Sequence, residues 1–165
     1  MRIGHGYDLH RFGAVGTAVS IRLAGVEMPH NQQIIAHSDG DVLIHALCDA
    51  LLGAMCQGDI GQHFSDQAEH WRDTVSREFL CLIAELMGHQ NYELENADLT
   101  LICEAPRIGL YRNRMCERIA EDLGVTVDRI NVKATTAEGV GAVGRGEAIA
   151  AHAVVLLRRK TDAEV

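Results

Sequence analysis

Residues 4–10 read Gly-His-Gly-Tyr-Asp-Leu-His, a strand-forming run that ends on a carboxylate and an imidazole two residues apart. Successive side chains of a strand leave on opposite faces, so Asp8 and His10 point the same way. Both are metal-ligating residue types. Two donors do not complete a site, so the fold must bring a third against this strand. His45, in Ala-His-Ser-Asp-Gly-Asp-Val-Leu-Ile-His, is the best candidate. Three protein donors leave a fourth position for substrate or water, the arrangement of a catalytic rather than a structural zinc. The Asp-x-His spacing alone is a weak signal, and most of the nine histidines are expected at the surface or as satisfied core groups.

The segments that follow alternate between the two periods. Residues 1–10 and about 18–26 are expected as strands joined by a connection around Phe12 to Gly16, and a loop runs through Pro29 and Asn31. Ser38 is expected to cap a helix reaching about Met55, with Asp39 and Asp41 in its first turn, where carboxylates suit the helix dipole. Asp41, His45 and Asp49 then share one stripe, and Leu43, Leu47, Ala50 and Leu51 supply packing. A loop with Gly53, Gly58 and Gly61 leads to a second helix over about 73–88, followed by a strand over 97–104. A third helix spans about 110–123 and stops at Gly124. Strands over about 129–135 and 147–158 close the chain. This order predicts an α+β, mixed two-layer sandwich: one mixed sheet covered on one face by helices. Residues 1–158 are expected as a single domain and 159–165 as a polar tail.

Composition narrows the function classes. A length of 165 residues suits one domain with one core, and two prolines leave no linker. No apolar run approaches the roughly 20 residues that span a bilayer, and the start lacks the apolar core of a signal peptide. A soluble, cytoplasmic protein without membrane partners is expected. Five cysteines form no C-x-x-C pair and are expected as reduced thiols. A net charge of −8 argues against nucleic-acid binding, and a phosphorylated ligand would need local cations or metals.

Further constellations fit that chemistry. His37 and Ser38 precede a helix whose free N–H groups attract anions, so His37 is a candidate beside a phosphate. Asp49, one turn beyond His45, is a candidate to bond a ligand imidazole's second nitrogen. The glycine-rich Asn131 to Glu147 segment carries hydroxyls, a Lys and Glu138, which suit phosphates and a hard cation such as magnesium. It is no P-loop. Arg145 and Glu147 are equally expected to pair with each other.

Together these motifs, with Gly-Asp-Ile-Gly, Glu-Ala-Pro-Arg, Asn-Val-Lys-Ala-Thr-Thr-x-Glu and a closing Gly-Arg-Gly-Glu, closely resemble the 2-C-methyl-D-erythritol 2,4-cyclodiphosphate synthase family. They occur in the family's order from residue 1 to about 158. The resemblance implies a homotrimer of the non-mevalonate isoprenoid pathway, with active sites between subunits. It implies zinc on Asp8, His10 and His45, magnesium or manganese on Glu138, and transition-state stabilisation by His37 and Thr136. It places the methylerythritol part against Ser38, Asp59, Ile60, Gly61 and the loop of Phe64, Ser65 and Asp66. The cytidine nucleotide falls to Cys103, Glu104, Ala105, Pro106, Arg107, Ile108, Gly109 and Thr135, with Ala137, Ala142 and Arg145 also facing ligand. Arg145 and Glu147 match residues lining an axial cavity that holds isoprenoid diphosphates in the family.

The departures are local. Phe64-Ser65-Asp66-Gln67-Ala68 stands where the family has Phe-Pro-Asp-Thr-Asp, Arg107 replaces Lys, Ala137 replaces Thr, and Ala142 replaces a bulky aromatic. The implied reaction is ring closure of 4-diphosphocytidyl-2-C-methyl-D-erythritol 2-phosphate with loss of CMP. Such a reaction rests on positioning and charge neutralisation rather than a protein nucleophile. The rivals are an iron oxygenase with a two-His, one-carboxylate triad, a metal-dependent phosphohydrolase, and a non-catalytic trimeric prenyl-diphosphate-binding module.

Overall fold

The computed structural model describes residues 1–65, 71 and 74–160. Its centre is helix α1 (Val42–Met55), in which every residue except Asp49 and Gly53 is buried. A helix apolar on nearly all sides has to be enclosed, and burying each of Leu43, Ile44, Leu47, Leu51 and Leu52 contributes about 1.5–3 kcal/mol. The enclosing elements are a five-stranded sheet and helix α3 (Ser76–His89), against which helix α4 (Arg112–Leu123) packs in turn.

The sheet runs in the order β4 (Ile34–Ile35), β1 (Arg2–Phe12), β7 (Ala148–Arg159), β5 (Tyr92–Ile102), β6 (Ile130–Thr135). Pairs β1·β4, β1·β7 and β5·β7 are antiparallel, while β5·β6 is parallel. Hence β1, β5 and β6 all point their C-terminal ends to one side of the molecule. One sheet face carries Leu99, Leu101, Val132, Ala153 and Val155, all buried, and the other exposes Ile3, Tyr7, Leu9 and Val154. The expected mixed sheet with helices over one face is what these residues form.

Five details differ from expectation. The strand expected over 18–26 is a hairpin, β2 (Ser20–Leu23) and β3 (Val26–Pro29), because Ala24 and Gly25 adopt positive φ and fold the run back on itself. Asp41 rather than Ser38 caps α1, since Gly40 turns at φ +72° and brings the Asp41 carboxylate onto the Ile44 N–H. No acidic residue lies in the first turn of α1, so Asp39 and Asp41 both precede it. Strand β5 begins at Tyr92, five residues before the expected start. A one-turn helix, α2 (Ile60–His63), interrupts the loop after α1, and another, α5 (Gly141–Gly144), lies before β7. The tail 161–165 lies outside the described residues. Among those described, no helix is long and apolar enough to cross a membrane.

What positions the functional residues is the contact between β1 and α1. A Cβ built on Gly4 would stand 1.8 Å from the Ala50 carbonyl oxygen, and one on Gly6 would stand 1.9 Å from that of Ala46. Strand and helix therefore meet backbone to backbone. Ala46, Ala50 and Ala54, four apart on α1, supply the matching stripe of small side chains.

Candidate active site

Two residues beyond Gly6 the strand presents Asp8, and one residue before Ala46 the helix presents His45. The Asp8 Oδ2 atom lies 3.0 Å from His45 Nδ1 and 2.9 Å from His10 Nε2, and the two imidazole nitrogens are 3.0 Å apart. One donor atom from each of the three residues falls within 4.8 Å of the others. The expected convergence of strand and helix donors is thus realised in the fold.

Electrostatics suit a cation at this point. Burial acts to raise the Asp8 carboxyl, yet hydrogen bonds and charge from His10 and His45 outweigh it and hold the group well below the usual carboxylate range. For His45, burial disfavours the charged ring, but the hydrogen bond and charge of Asp8 prevail and raise it above an ordinary histidine. A carboxylate with two imidazoles is a donor set that fits a borderline divalent ion such as zinc.

The three donors open into a cleft of about 330 Å³. Its walls include His37, Ser38, Asp49, Ile60, Gly61 and Phe64, as expected, together with Ala36, Trp71 and Phe79. Phe64 stacks on Phe79 at 4.6 Å between ring centroids, and Trp71 meets Phe64 edge-on at 5.1 Å. Phe79 is one of the buried residues on the apolar face of α3. It is also an aromatic wall, which helical spacing alone does not reveal. His37 Nε2 is buried and has no hydrogen-bond partner among the described residues.

Asp49 takes a different part from the one expected. Its Oδ1 accepts the Ile60 N–H at 2.7 Å, anchoring α2, and no imidazole. The second nitrogen of His45 instead meets Ser76 Oγ at 2.9 Å and Ser38 Oγ at 3.1 Å. Ser38, no longer a cap, accepts the Gly40 N–H and lines the cleft. Asp59 caps α2 through the Gln62 N–H. Ser65 is described but does not line the cleft, and Asp66, Gln67 and Ala68 lie outside the described residues.

A second cleft of about 410 Å³ opens where β5 and β6 end. It is lined by Cys103, Glu104, Pro106, Arg107, Ile108, Gly109, Thr135 and Thr136, with Arg112 and Lys133 added to those expected. Beside it, Glu104 Oε1 accepts the Ala137 N–H at 2.9 Å, and Thr136 Oγ1 donates to Glu138 Oε1 at 2.8 Å. Glu138 and Gly139 both take positive φ, a hairpin-tight loop that turns the Glu138 carboxylate outward to solvent. Ala105 does not line this cleft. Arg145 forks onto Glu147 through two bonds of 2.8 and 3.0 Å, so the pairing alternative is observed, and both side chains, with Ala142, are exposed away from the two clefts.

The structure does not bring the two clefts together within one chain. Strands β7 and β5 stand between β1 and β6, three inter-strand steps or roughly 14 Å. His37 and Thr136 therefore belong to separate clefts at the same end of the sheet.

An α+β chain that gathers a carboxylate and two imidazoles at the mouth of an aromatic-walled cleft has, as a class, a candidate metal site beside room for a small molecule. The chain matches the YgbB family over residues 1–158 and belongs to that family. It is 50% identical to the 2-C-methyl-D-erythritol 2,4-cyclodiphosphate synthase of Aliivibrio salmonicida over 161 residues, 98% of this chain and 99% of that one. Its fold superposes on the bifunctional IspDF of Campylobacter jejuni with a TM-score of 0.90 at 36% identity, covering 96% of this chain and 42% of that protein's length. On the CDP complex of Plasmodium falciparum IspF the TM-score is 0.84 at 32% identity, covering 97% of each chain.

Proposed function

We propose that this chain is a cyclodiphosphate synthase of the non-mevalonate isoprenoid pathway. It converts 4-diphosphocytidyl-2-C-methyl-D-erythritol 2-phosphate to 2-C-methyl-D-erythritol 2,4-cyclodiphosphate and releases CMP, a phosphorus–oxygen lyase reaction. The observation that carries the reading is the convergence of Asp8, His10 and His45 on one point, in a chain half identical to synthases along its length.

In this reaction the substrate's own 2-phosphate attacks the β-phosphorus, so the protein positions and neutralises rather than attacks. Ile60, Gly61 and the Phe64–Trp71–Phe79 wall enclose the methylerythritol part, shedding water from it. His37, with its unpartnered Nε2, and Thr136 face the charge that builds on the transferring phosphoryl group. The pocket of Cys103 to Gly109 with Thr135 holds the cytidine, a ligand type present in the CDP complex of the Plasmodium falciparum relative. Zinc on Asp8, His10 and His45, and magnesium or manganese on Glu138, supply the neutralising charge when bound.

The separation of the two clefts supports an active site shared between subunits. Both lie at one end of the sheet on opposite edges, so a head-to-tail ring sets the β6 side of one chain against the β1 side of the next. A homotrimer is the ring we propose. Arg145 and Glu147 then approach its axis, where an isoprenoid diphosphate would bind, and the protein works in the cytoplasm.

Incubation of the purified protein with the cytidyl substrate and Mg²⁺ tests this directly. Equimolar CMP and cyclodiphosphate are expected. Release of inorganic phosphate without CMP would point to a phosphohydrolase instead.

A further inference from the structure

The hydrogen bonds behind His45 have a direction that follows from chemistry. Ser76, fully buried at the start of α3, places its Oγ against Asp39 Oδ1 on one side and 2.9 Å from His45 Nε2 on the other. Asp39 itself faces Arg22 at 3.4 Å and takes the Asp41 N–H at 3.3 Å, both donors, so its carboxylate acts as an acceptor. A hydroxyl has one proton to give. With that proton directed to Asp39, the Ser76 oxygen has only lone pairs left for the imidazole and accepts from His45 Nε2, the nitrogen that Ser38 Oγ also approaches at the longer distance of 3.1 Å. A cation gathered by Asp8 and His10 then meets the lone pair of His45 on Nδ1, the nitrogen 3.0 Å from Asp8 Oδ2 and from His10 Nε2.

We propose that Ser76, oriented by Asp39, is a positioning residue that fixes the Nε2–H tautomer of His45 and so keeps Nδ1 free as a metal donor. The inference rests on the reading of Asp8, His10 and His45 as a cation site. It assigns a task to two side chains that are not among the three donor residues themselves. Ser76 arrives from a helix more than thirty positions away in sequence, and Asp39 from the turn before α1. Partners of this kind typically change metal affinity 10- to 100-fold when removed.

The test uses the whole chain stripped of metal and four forms: wild type, Ser76→Ala, Ser76→Thr and Asp39→Asn. The tautomer of His45 is read from its ring ¹⁵N shifts in the metal-free protein, and Zn²⁺ affinity from competition with a chromogenic chelator. In wild type Nε2 is expected to carry a proton, whether or not Nδ1 is also protonated against Asp8 in the absence of metal. Ser76→Ala should admit the Nδ1–H tautomer and weaken Zn²⁺ binding by 10- to 100-fold, while Ser76→Thr, which keeps the hydroxyl, should recover most of it. Asp39→Asn, whose amide can donate to Ser76 and reverse the chain of bonds, should act in the same direction as Ser76→Ala. It serves as the measurement if Ser76→Ala fails to fold. A merely structural serine would lower melting temperature without moving either readout. The proposal is overturned if wild-type His45 carries no proton on Nε2, or if the variants that fold bind Zn²⁺ as wild type does. Wild type that binds no divalent ion at all would instead remove the cation-site reading beneath it.

Discussion

The two clefts solve the problem of holding charge in opposite ways. The Asp8–His10–His45 cleft is fixed by main chain: two glycines of β1 press against carbonyls of α1, and the donors project from either side of that seam. The cleft at the end of β6 is built from a strand end and the loops beside it, with Thr135, Thr136 and Glu138 exposed and held by side-chain bonds such as Thr136 to Glu138 and Ala137 to Glu104. A metal site tolerates little error in donor placement, whereas a nucleotide and a hard cation with its own waters accept a looser frame. The contrast teaches that rigidity is placed where close convergence of donors needs it.

The sharpest way to break this comparison is to disable each half separately. Asp8→Ala and Thr136→Ala are each expected to lower kcat by about 10³-fold or more, in line with losing an electrostatic stabiliser of the transition state. Refolded together at equal ratio, the two inactive chains should regain about a quarter of wild-type activity, because a random ring pairs one intact half of each kind at that frequency. No recovery on mixing would mean that both halves act within one chain.

Next in size is the seam itself. Gly6→Ala inserts a methyl where the Ala46 carbonyl already stands, so β1 and α1 must part. A loss of about 3 kcal/mol or more is expected from such overpacking, seen as a lower urea midpoint, together with weakened Zn²⁺ binding. Retained metal affinity in a destabilised Gly6→Ala protein would show that the donors are not set by this contact.

Asp41 gives a pH test of the same side of the molecule. Burial first, and then the charge of Asp39, push its carboxyl up to about 6, against the ordinary 3.8. The folded chain thus holds the proton more tightly than the unfolded chain. The stability this contributes is complete below about pH 4 and is lost as pH rises through about 6, a span of about 3 kcal/mol. Asp41→Asn lacks that titration, so its cost in the metal-free protein should be larger at pH 4.5 than at pH 7.5. Equal cost at both would refute the shift.

The smallest effect belongs to the looser cleft. Glu104→Gln removes charge from the acceptor of the Ala137 N–H but leaves its shape. About 1 kcal/mol is expected, visible as a several-fold rise in KM with kcat nearly unchanged. A larger fall in kcat would place Glu104 in the chemistry and erase the distinction between the clefts.

What the sequence made legible follows the same division. Asp8, His10 and His45 could be read because strand period two and one helix stripe suffice to aim them. The class of fold followed from the order of periodic segments. The β2–β3 hairpin was hidden because its turn, Ala24-Gly25, sits inside an otherwise continuous apolar run. Ser38 looked like a cap because caps are local, yet Asp41 wins through long-range bonds from Ala24 and Gly25 that no local pattern encodes. Asp49 does not take the part expected of it for a similar reason: Ser76, a partner of His45 Nε2, comes from another helix, and sequence distance conceals it.

The glycine seam also bears on how such a chain can change over generations. Side chains can adopt new rotamers, but two touching backbones cannot, so the spacing between Asp8 and His45 is insulated from substitutions elsewhere in the core. Drift in Phe64, Trp71, Phe79 or the β6 loop can reshape what the clefts admit while the donor spacing stays constant. The fold thus separates a part that must be inherited unchanged from parts that are free to be tuned.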